Sequence, residues 1–575
     1  MIKKILSCAK GFGATSLLSS LFVVLEAVLE VFIPFMMMKI VDVGIVNQDL
    51  PYVLKIGGLM ILVSLTSLTC GVLSGRFAAV SATGFARNIR NRLFACIQSF
   101  SFGNIDRFST ASLITRLTID VTNAQLAYMM TIRLLVRAPV IMVAATVMAV
   151  TINAKLALTF IVAVPLLAIA IFLIMRAAYP RFGKMLEKYD NLNAVVQEKL
   201  TAIRVIKAFV REDYECSNFE EAATALQTYQ KKAEKAVILN MPVMMTAMYA
   251  CTVCVLWFGG VQIVNGTMDP GALFSFVGYV AQILMSLMII SMAFLTIVIS
   301  RASIKRIVEI FDEKPDIADN AAEDSPQVED GSIVFDHVSF SYAKDVDKLN
   351  LEDISFSVSS GQTVGILGGT GSAKTTLVQL IPRLYDVTSG SIKVGGHDVR
   401  EYALDELRHN VAMVLQNNLL FSGTIAENLR WGDPDATDEE LVSACKTAQA
   451  HDFIMSFPDG YDTWLEEGGV NVSGGQKQRL CIARALLAKP KVVILDDSTS
   501  AVDTATDALI RAGFRERLAN VTTVIIAQRI ASVMEADLII VLDEGRIAAM
   551  GTHDELLKNS PIYAEVYNSQ QKGVA

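Results

Sequence analysis

Charge is scarce in this 575-residue chain: Asp, Glu, Lys and Arg make up 19% of it, while 53% is hydrophobic. A water-soluble domain carries about a quarter charged residues, so part of this chain must face lipid. The formal charge of −8 is not the clustered Lys and Arg that a phosphate backbone demands, which excludes nucleic acid as a partner. Cysteine is sparse as well. The eight, at Cys8, Cys70, Cys96, Cys216, Cys251, Cys254, Cys445 and Cys481, follow neither a disulfide framework nor a zinc site. Cys251 and Cys254 sit three apart in an apolar run without a nearby His or acid, and read as packing residues. Histidine is rarer still, with only His337, His397, His409, His451 and His553. Lys3, Lys4 and Lys10 precede an apolar stretch too long for a signal-peptide core, and no small-residue cleavage site follows it.

What is present is long apolar runs. A chain this long exceeds one hydrophobic core, so at least two domains are expected. Six segments of spanning length lie near Leu17–Met38, Val53–Ala79, Met129–Ile152, Leu156–Met175, Val243–Val264 and Leu273–Ile299; about 20 residues cross a bilayer. The connections between the second and third and between the fourth and fifth are long and basic, with Arg87, Arg90, Arg92, Arg107 and Arg116 in one and Lys184, Lys188, Arg204, Lys207 and Arg211 in the other. The remaining turns are short and nearly free of Lys and Arg, so the positive-inside rule puts both termini in the cytoplasm. An acidic, Pro-terminated stretch from Asp316 to Pro326 reads as a linker. From Gly331 onward, β-rich runs such as Ser332–Phe335, Thr363–Leu367 and Val492–Leu495 alternate with helical stretches, the pattern of an α/β domain. The expected division is a membrane domain over 1–315, a linker over 316–330 and an α/β domain over 331–575.

The strand Thr363–Leu367 leads into Gly368-Gly369-Thr370-Gly371-Ser372-Ala373-Lys374-Thr375-Thr376 and an apolar helical run, Leu377–Ile381. Backbone N–H groups of such a loop cradle phosphates, with Lys374 on the β/γ oxygens and Thr375 on Mg²⁺. Ala373 stands where the phosphate-loop pattern has Gly, so a methyl intrudes where backbone usually approaches the ligand. Val492-Val493-Ile494-Leu495-Asp496 is a buried strand ending in a carboxylate, as a Walker B aspartate does, and Asp497 follows it. Between the two motifs lies Asn471-Val472-Ser473-Gly474-Gly475-Gln476.

That last segment resembles the signature of ATP-binding-cassette proteins, and the resemblance extends over nearly the whole chain. Tyr342 matches the aromatic that stacks on adenine, and Gln416 matches the Q-loop glutamine, which with Thr375 and Asp496 attends Mg²⁺. Ser500-Ala501-Val502-Asp503 resembles the D-loop. In the membrane half, Asp106–Thr118 and Glu198–Phe209 are similar to the two coupling-helix regions of bacterial multidrug exporters. The resemblance implies a six-helix exporter-type transmembrane domain followed by an ABC nucleotide-binding domain, ATP and Mg²⁺ as cofactors, and a multi-pass protein of the bacterial cytoplasmic membrane working as a dimer by alternating access.

Two departures fall in one nucleotide site. The residue after the Walker B aspartate is normally Glu, and Asp497 is one methylene shorter, a misplacement that positioning makes costly. Val524-Ile525-Ile526-Ala527-Gln528-Arg529-Ile530 resembles the switch segment that ordinarily presents His, and Gln528 occupies that place. A neutral amide hydrogen-bonds but cannot carry a proton. The signature keeps Ser473, Gly474, Gly475 and Gln476, with only Val472 in place of the usual Leu. In this family each ATP lies between one subunit's phosphate loop and the other's signature. A blunted loop side beside an intact signature therefore implies one partner of a heterodimer, with the slower alternative a homodimer that hydrolyses through Asp497.

Among the few charges inside the apolar segments are Glu26, Glu30, Arg76, Arg133 and Arg137. An uncompensated charge at bilayer centre costs roughly 2.5–3.5 kcal/mol on insertion scales, so these must face a cavity or one another. Glu26 and Glu30 share one helix face. Either they form an acidic patch for cationic amphipathic substrates, or they pair with Arg and hold helices together. Flexible methionines such as Met244, Met245, Met248, Met285, Met288 and Met292, with Phe294 and Tyr279, suit a permissive path or ordinary packing. Lipid or peptide export, and an ATP-gated channel-like role, stay open beside multidrug export.

Overall fold

The structure, a computed structural model, describes residues 2–319, 325–345, 347–497, 502–517 and 520–572. Asn320–Asp324 of the expected linker, and Ser500 and Ala501 of the expected D-loop, lie outside the described residues. The chain divides into two compact units, Met1–Ser99 with Ser109–Glu313, and Phe100–Phe108 with Lys314–Ala575.

Among the described residues the first unit contains six helical runs long and apolar enough to cross a membrane: Gly13–Ile45, Leu50–Gln98, Thr110–Ile152, Ala154–Thr201, Glu212–Val264 and Pro270–Asp312. Each contains one of the six expected segments. The runs are longer than hydropathy marks them. The 49 residues of Leu50–Gln98 rise about 74 Å at 1.5 Å per residue, against a hydrocarbon core of about 30 Å. Hydropathy records where lipid ends, whereas the helix continues until its backbone is interrupted, and no proline follows Pro51 in that run.

Small residues set the spacing between these helices, as expected where close approach rather than hydrophobicity drives association. Ser19 and Ser74 each donate a hydroxyl to the other's carbonyl at 3.1 Å, tying the first run to the second. A Cβ on Gly84 would stand 2.2 Å from the Phe12 ring. At the turn between the third and fourth runs, Asn153 accepts from the backbone N–H groups of Lys155 and Leu156 at 3.1 Å and caps the fourth.

The third run is interrupted twice. A π-helical turn at Arg116–Asp120 buries both charges, and the helix breaks at Arg133, between Val121–Ile132 and Leu134–Ile152. Arg116 meets Glu309 at 2.9 Å and donates to the Arg306 carbonyl at 2.8 Å, while Asp120 accepts from Arg306 Nε at 2.7 Å. Both buried charges are thus paired across to the sixth run.

In the second unit, β1 (Ile333–Phe340), β2 (Leu351–Val358), β3 (Thr363–Gly368), β4 (Ser389–Val394) and β5 (His397–Asp398) precede β6 (Val411–Val414), β7 (Gly423–Thr424) and β8 (Trp464–Leu465). Then come β9 (Val492–Asp496), β10 (Thr522–Ile526), β11 (Leu538–Asp543) and β12 (Arg546–Gly551). The main sheet has the order β12-β11-β3-β10-β9-β6, parallel except for β12 at its edge. An antiparallel sheet, β2-β1-β4-β5, accompanies it. β9 is buried at every position, as a central parallel strand covered on both faces must be.

The short helix Phe102–Phe108 belongs to this second unit although it comes from the connection between the second and third runs. Asn104 anchors it, accepting from the N–H groups of Ser101 and Asp316 at 3.1 Å and donating to the Lys314 carbonyl at 3.0 Å. The Tyr385 hydroxyl donates to Asp106 at 2.7 Å, and the Phe102 ring meets Tyr385 edge-on.

Candidate functional site

β3 ends at Gly368, the loop Gly369–Ala373 turns, and the helix Lys374–Gln379 begins. Gly371 takes a positive φ of 86° without strain, whereas Ala373 adopts a left-handed conformation, φ 67° and ψ 26°, that an L-residue holds at a cost. A Cβ on Gly368 would stand 2.3 Å from the Leu542 carbonyl oxygen, so the first loop position tolerates only glycine. Lys374 Nζ donates to the loop carbonyls of Gly368 at 2.9 Å and Gly369 at 2.7 Å. Burial lowers its pKa, while Asp496 and Asp497 oppose the shift.

Parallel pairing of β10 with β3 and β9 carries the ends of β9 and β10 to the same edge of the sheet as the loop. Asp496 Oδ1 accepts from the Thr375 hydroxyl at 3.2 Å, and its Oδ2 is buried without a hydrogen-bond partner among the described residues. Burial raises its carboxyl above the ordinary range, opposed by that hydroxyl and by Lys374. An orphaned carboxylate oxygen beside a hydroxyl fits a hard cation that takes one or two protein oxygens and completes its shell with phosphate and water, the habit of Mg²⁺. Among the described residues no cluster of three His, Cys, Asp or Glu forms an all-protein cage.

Asp497 accepts from the Gln528 amide Nε2 at 2.8 Å, and its own N–H donates to the Ile526 carbonyl at 3.1 Å. Burial raises this carboxyl too, against the Gln528 amide, Lys374 and the Gln416 amide. Gln416, Lys374, Thr376, Asp496, Asp497 and Gln528 line one cavity of about 550 Å³ with the glycine loop.

Ser473 caps the helix Gly474–Leu487: its hydroxyl accepts from the Gln476 N–H at 3.3 Å, and the Gln476 side chain accepts from the Ser473 N–H at 2.8 Å. Ser473 and Gly474 are exposed, and the segment does not line the phosphate-loop cavity. Neither does Asp503, which caps the helix Thr504–Arg517 by accepting from the Thr506 N–H at 2.9 Å. Tyr342 also stands apart from that cavity. It lines a neighbouring one of about 390 Å³ with Asp106 and Tyr385, packs edge-on against Tyr385, and meets the Thr376 hydroxyl at 3.1 Å.

In the first unit, Arg137 Nη2 lies 2.6 Å from Glu30 and 3.3 Å from Glu26, so one guanidinium serves both carboxylates. Arg76 is exposed, and the Arg133 guanidinium lies over Gly75.

The C-terminal helix Pro561–Lys572 contributes residues that sequence reasoning missed. Ile562, Tyr563 and Val566 line the phosphate-loop cavity. Gln570 holds the backbone of the candidate switch segment at two points, donating to the Gln528 carbonyl and accepting from the Ile530 N–H, each at 2.9 Å. No local motif marks a terminal glutamine as a partner of residues some forty positions earlier.

Comparison with known proteins agrees with this arrangement. Residues 16–305 match the ABC transporter transmembrane region and residues 351–500 the ABC transporter family. The chain is 37% identical over 575 residues to the ABC transporter ATP-binding protein YfiB of Bacillus subtilis (strain 168), covering 99% of this chain and 98% of that one. It is 35% identical over 484 residues to the ATP-dependent lipid A-core flippase of Desulfotalea psychrophila, covering 84% of each. Its fold is similar to a bacterial Atm1-family ABC exporter solved with ATP bound, at a TM-score of 0.82 and 26% identity over 96% of this chain and 97% of that one. With its transmembrane region and its ATP-binding domain in one polypeptide, the chain belongs to the ABC transporters, as an exporter half-transporter.

Proposed function

We propose that this chain is one subunit of a heterodimer that exports amphipathic or hydrophobic small molecules across the bacterial cytoplasmic membrane by alternating access. Its own phosphate loop forms a slow, ATP-retaining site, while Ser473–Gln476 completes the hydrolytic site of a second half-transporter. The observation that carries this reading is the bond from Gln528 to Asp497. The carboxylate in the position that should orient an attacking water is short and engaged by an amide that acts as neither acid nor base near neutral pH. The left-handed Ala373 adds to that picture, and the well-capped signature contrasts with it.

In this reading Lys374 is the cation available to the β/γ phosphates, and Thr375, Asp496 and Gln416 hold the magnesium site. Bound Mg²⁺ neutralises phosphate charge. Tyr342 meets the adenine, and Asp503 faces the partner. An exposed apolar tip on the second cytoplasmic connection supports assembly with another chain: Phe209 is 74% and Val210 81% exposed, with Ile203 and Val205 beside them. The basic cytoplasmic connections support the orientation, with both termini and the nucleotide domain inside.

The test is the Asp497→Glu/Gln528→His double variant purified with its partner. Turnover at this site should rise on the order of tenfold to a hundredfold, the scale of restored positioning. Equal hydrolysis at both wild-type sites would overturn the division of labour and favour a homodimer acting through Asp497. The flippase named among the relatives supports a second reading, in which the cargo is a lipid. ATP-dependent dye accumulation in inside-out vesicles, set against single-channel current, separates either transport reading from an ATP-gated pore.

A further inference from the structure

Three arginines and two carboxylates lie in the apolar segments, and their pairing leaves the balance positive. Arg137 is committed to Glu26 and Glu30. The Glu26 carboxylate occupies space that glycine provides, since a Cβ on Gly71 would stand 3.2 Å from its Cδ. One helical turn along, Gly75 does the same for Arg133, whose guanidinium carbon lies 3.7 Å from where a Cβ would be. Arg133 is half-buried, and its side chain has no hydrogen bond or ion pair among the described residues. It sits at the break in the third run, where the Ser20 hydroxyl donates to the Ile132 carbonyl at 3.0 Å and so satisfies backbone that the break exposes. The helix from Leu134 to Ile152 places Arg133 about 28 Å from the outer end, near the depth of the inner-leaflet headgroups.

An arginine kept unpaired at that depth, while its neighbour one turn away is doubly paired, is a counter-charge without a resident partner. We propose that Arg133 receives the anionic headgroup, phosphate or carboxylate, of an amphiphile entering from the inner leaflet, with Arg76 adding positive charge at the same level. This deepens the export reading above and rests on it for direction. It also reverses the sign expected from Glu26 and Glu30 alone, because Arg137 offsets one of their two charges and Arg133 with Arg76 outweighs the other. The guanidinium fork suits a two-oxygen anion.

The test uses full-length protein in maltoside detergent, without nucleotide, titrated calorimetrically with dodecyl phosphate and with dodecyltrimethylammonium. Wild type should bind the phosphate about tenfold more tightly, the scale of one charge-assisted hydrogen bond. Arg133→Gln should lose that preference, Arg133→Lys should keep most of it, and Glu26→Gln/Glu30→Gln, which frees Arg137, should strengthen it. Equal phosphate binding by wild type and Arg133→Gln, with both variants eluting and melting as wild type, would overturn the site, as would tighter binding of the ammonium. Anionic phospholipid extracted from wild type but not from Arg133→Gln would mark a resident lipid. ATP-dependent entry of dodecyl phosphate into inside-out vesicles would mark a cargo. If a neutral dye moves with ATP while dodecyl phosphate fails to bind, the anion site is wrong and the export reading stands; binding through Arg133 with no ATP-driven movement gives the reverse.

Discussion

Ala373 and the two aspartates at the end of β9 show the nucleotide site to be a strained one. Replacing Ala373 by Gly removes the left-handed penalty and should stabilise the nucleotide-free protein by about 1 kcal/mol, read from its denaturant midpoint, and tighten ATP several-fold. An unchanged midpoint would mean that the loop relaxes around the methyl. Asp496 and Asp497 both have carboxyls raised by burial. An acid raised on folding adds stability that is complete below its ordinary 3.8 and is lost as pH climbs through the raised value. At neutral pH both charges therefore weigh against the empty fold. Asp496→Asn/Asp497→Asn should melt above wild type at pH 7, with the margin shrinking towards pH 4 in thermal scans. The residues in this strained cluster were legible in the sequence, because the loop and Walker B motifs are contiguous. The Gln528–Asp497 bond was not, since it joins the ends of two separate strands.

Among the elements, the C-terminal helix and the short helix Phe102–Phe108 act at a distance from their place in the chain. Gln570→Ala removes two hydrogen bonds to the switch segment and should cost about 1–2 kcal/mol locally, seen as faster amide exchange across residues 527–531. Protection there equal to wild type would show that β10 and the helix Thr504–Arg517 hold the segment unaided. Tyr385→Phe breaks the bond to Asp106 while sparing the cavity around Lys374. ATP turnover should persist while transport per ATP falls, a split that vesicle assays resolve. Burial and Asp106 both push the Tyr385 phenol up, so the hydroxyl stays a donor throughout the physiological range. Element type followed from periodicity and hydropathy, but element length did not. Leu50–Gln98 runs on past its apolar part because nothing in its sequence stops a helix.

For the whole molecule, the two units follow different rules. In the first, close approach of serines and glycines and the pairing of rare charges organise helices whose apolar surface faces lipid. In the second, a parallel sheet buried on both faces brings a loop, a carboxylate and a switch to one edge. By itself the sequence determined the six apolar runs and the α/β domain after them, and it marked the glycine loop and the strand-end carboxylates as candidates, because hydropathy, β-rich alternation and contiguous glycine loops are local properties of a chain. Only the tertiary structure decided that Phe102–Phe108 belongs to the second unit, that Gln570 bonds the backbone at Gln528 and Ile530, that Arg137 bridges both glutamates, and that Arg133 is left without a partner among the described residues. Pairing of charges and docking of short helices join residues far apart in the chain, and their energies exist only once the backbone has brought those residues within a few ångströms of one another.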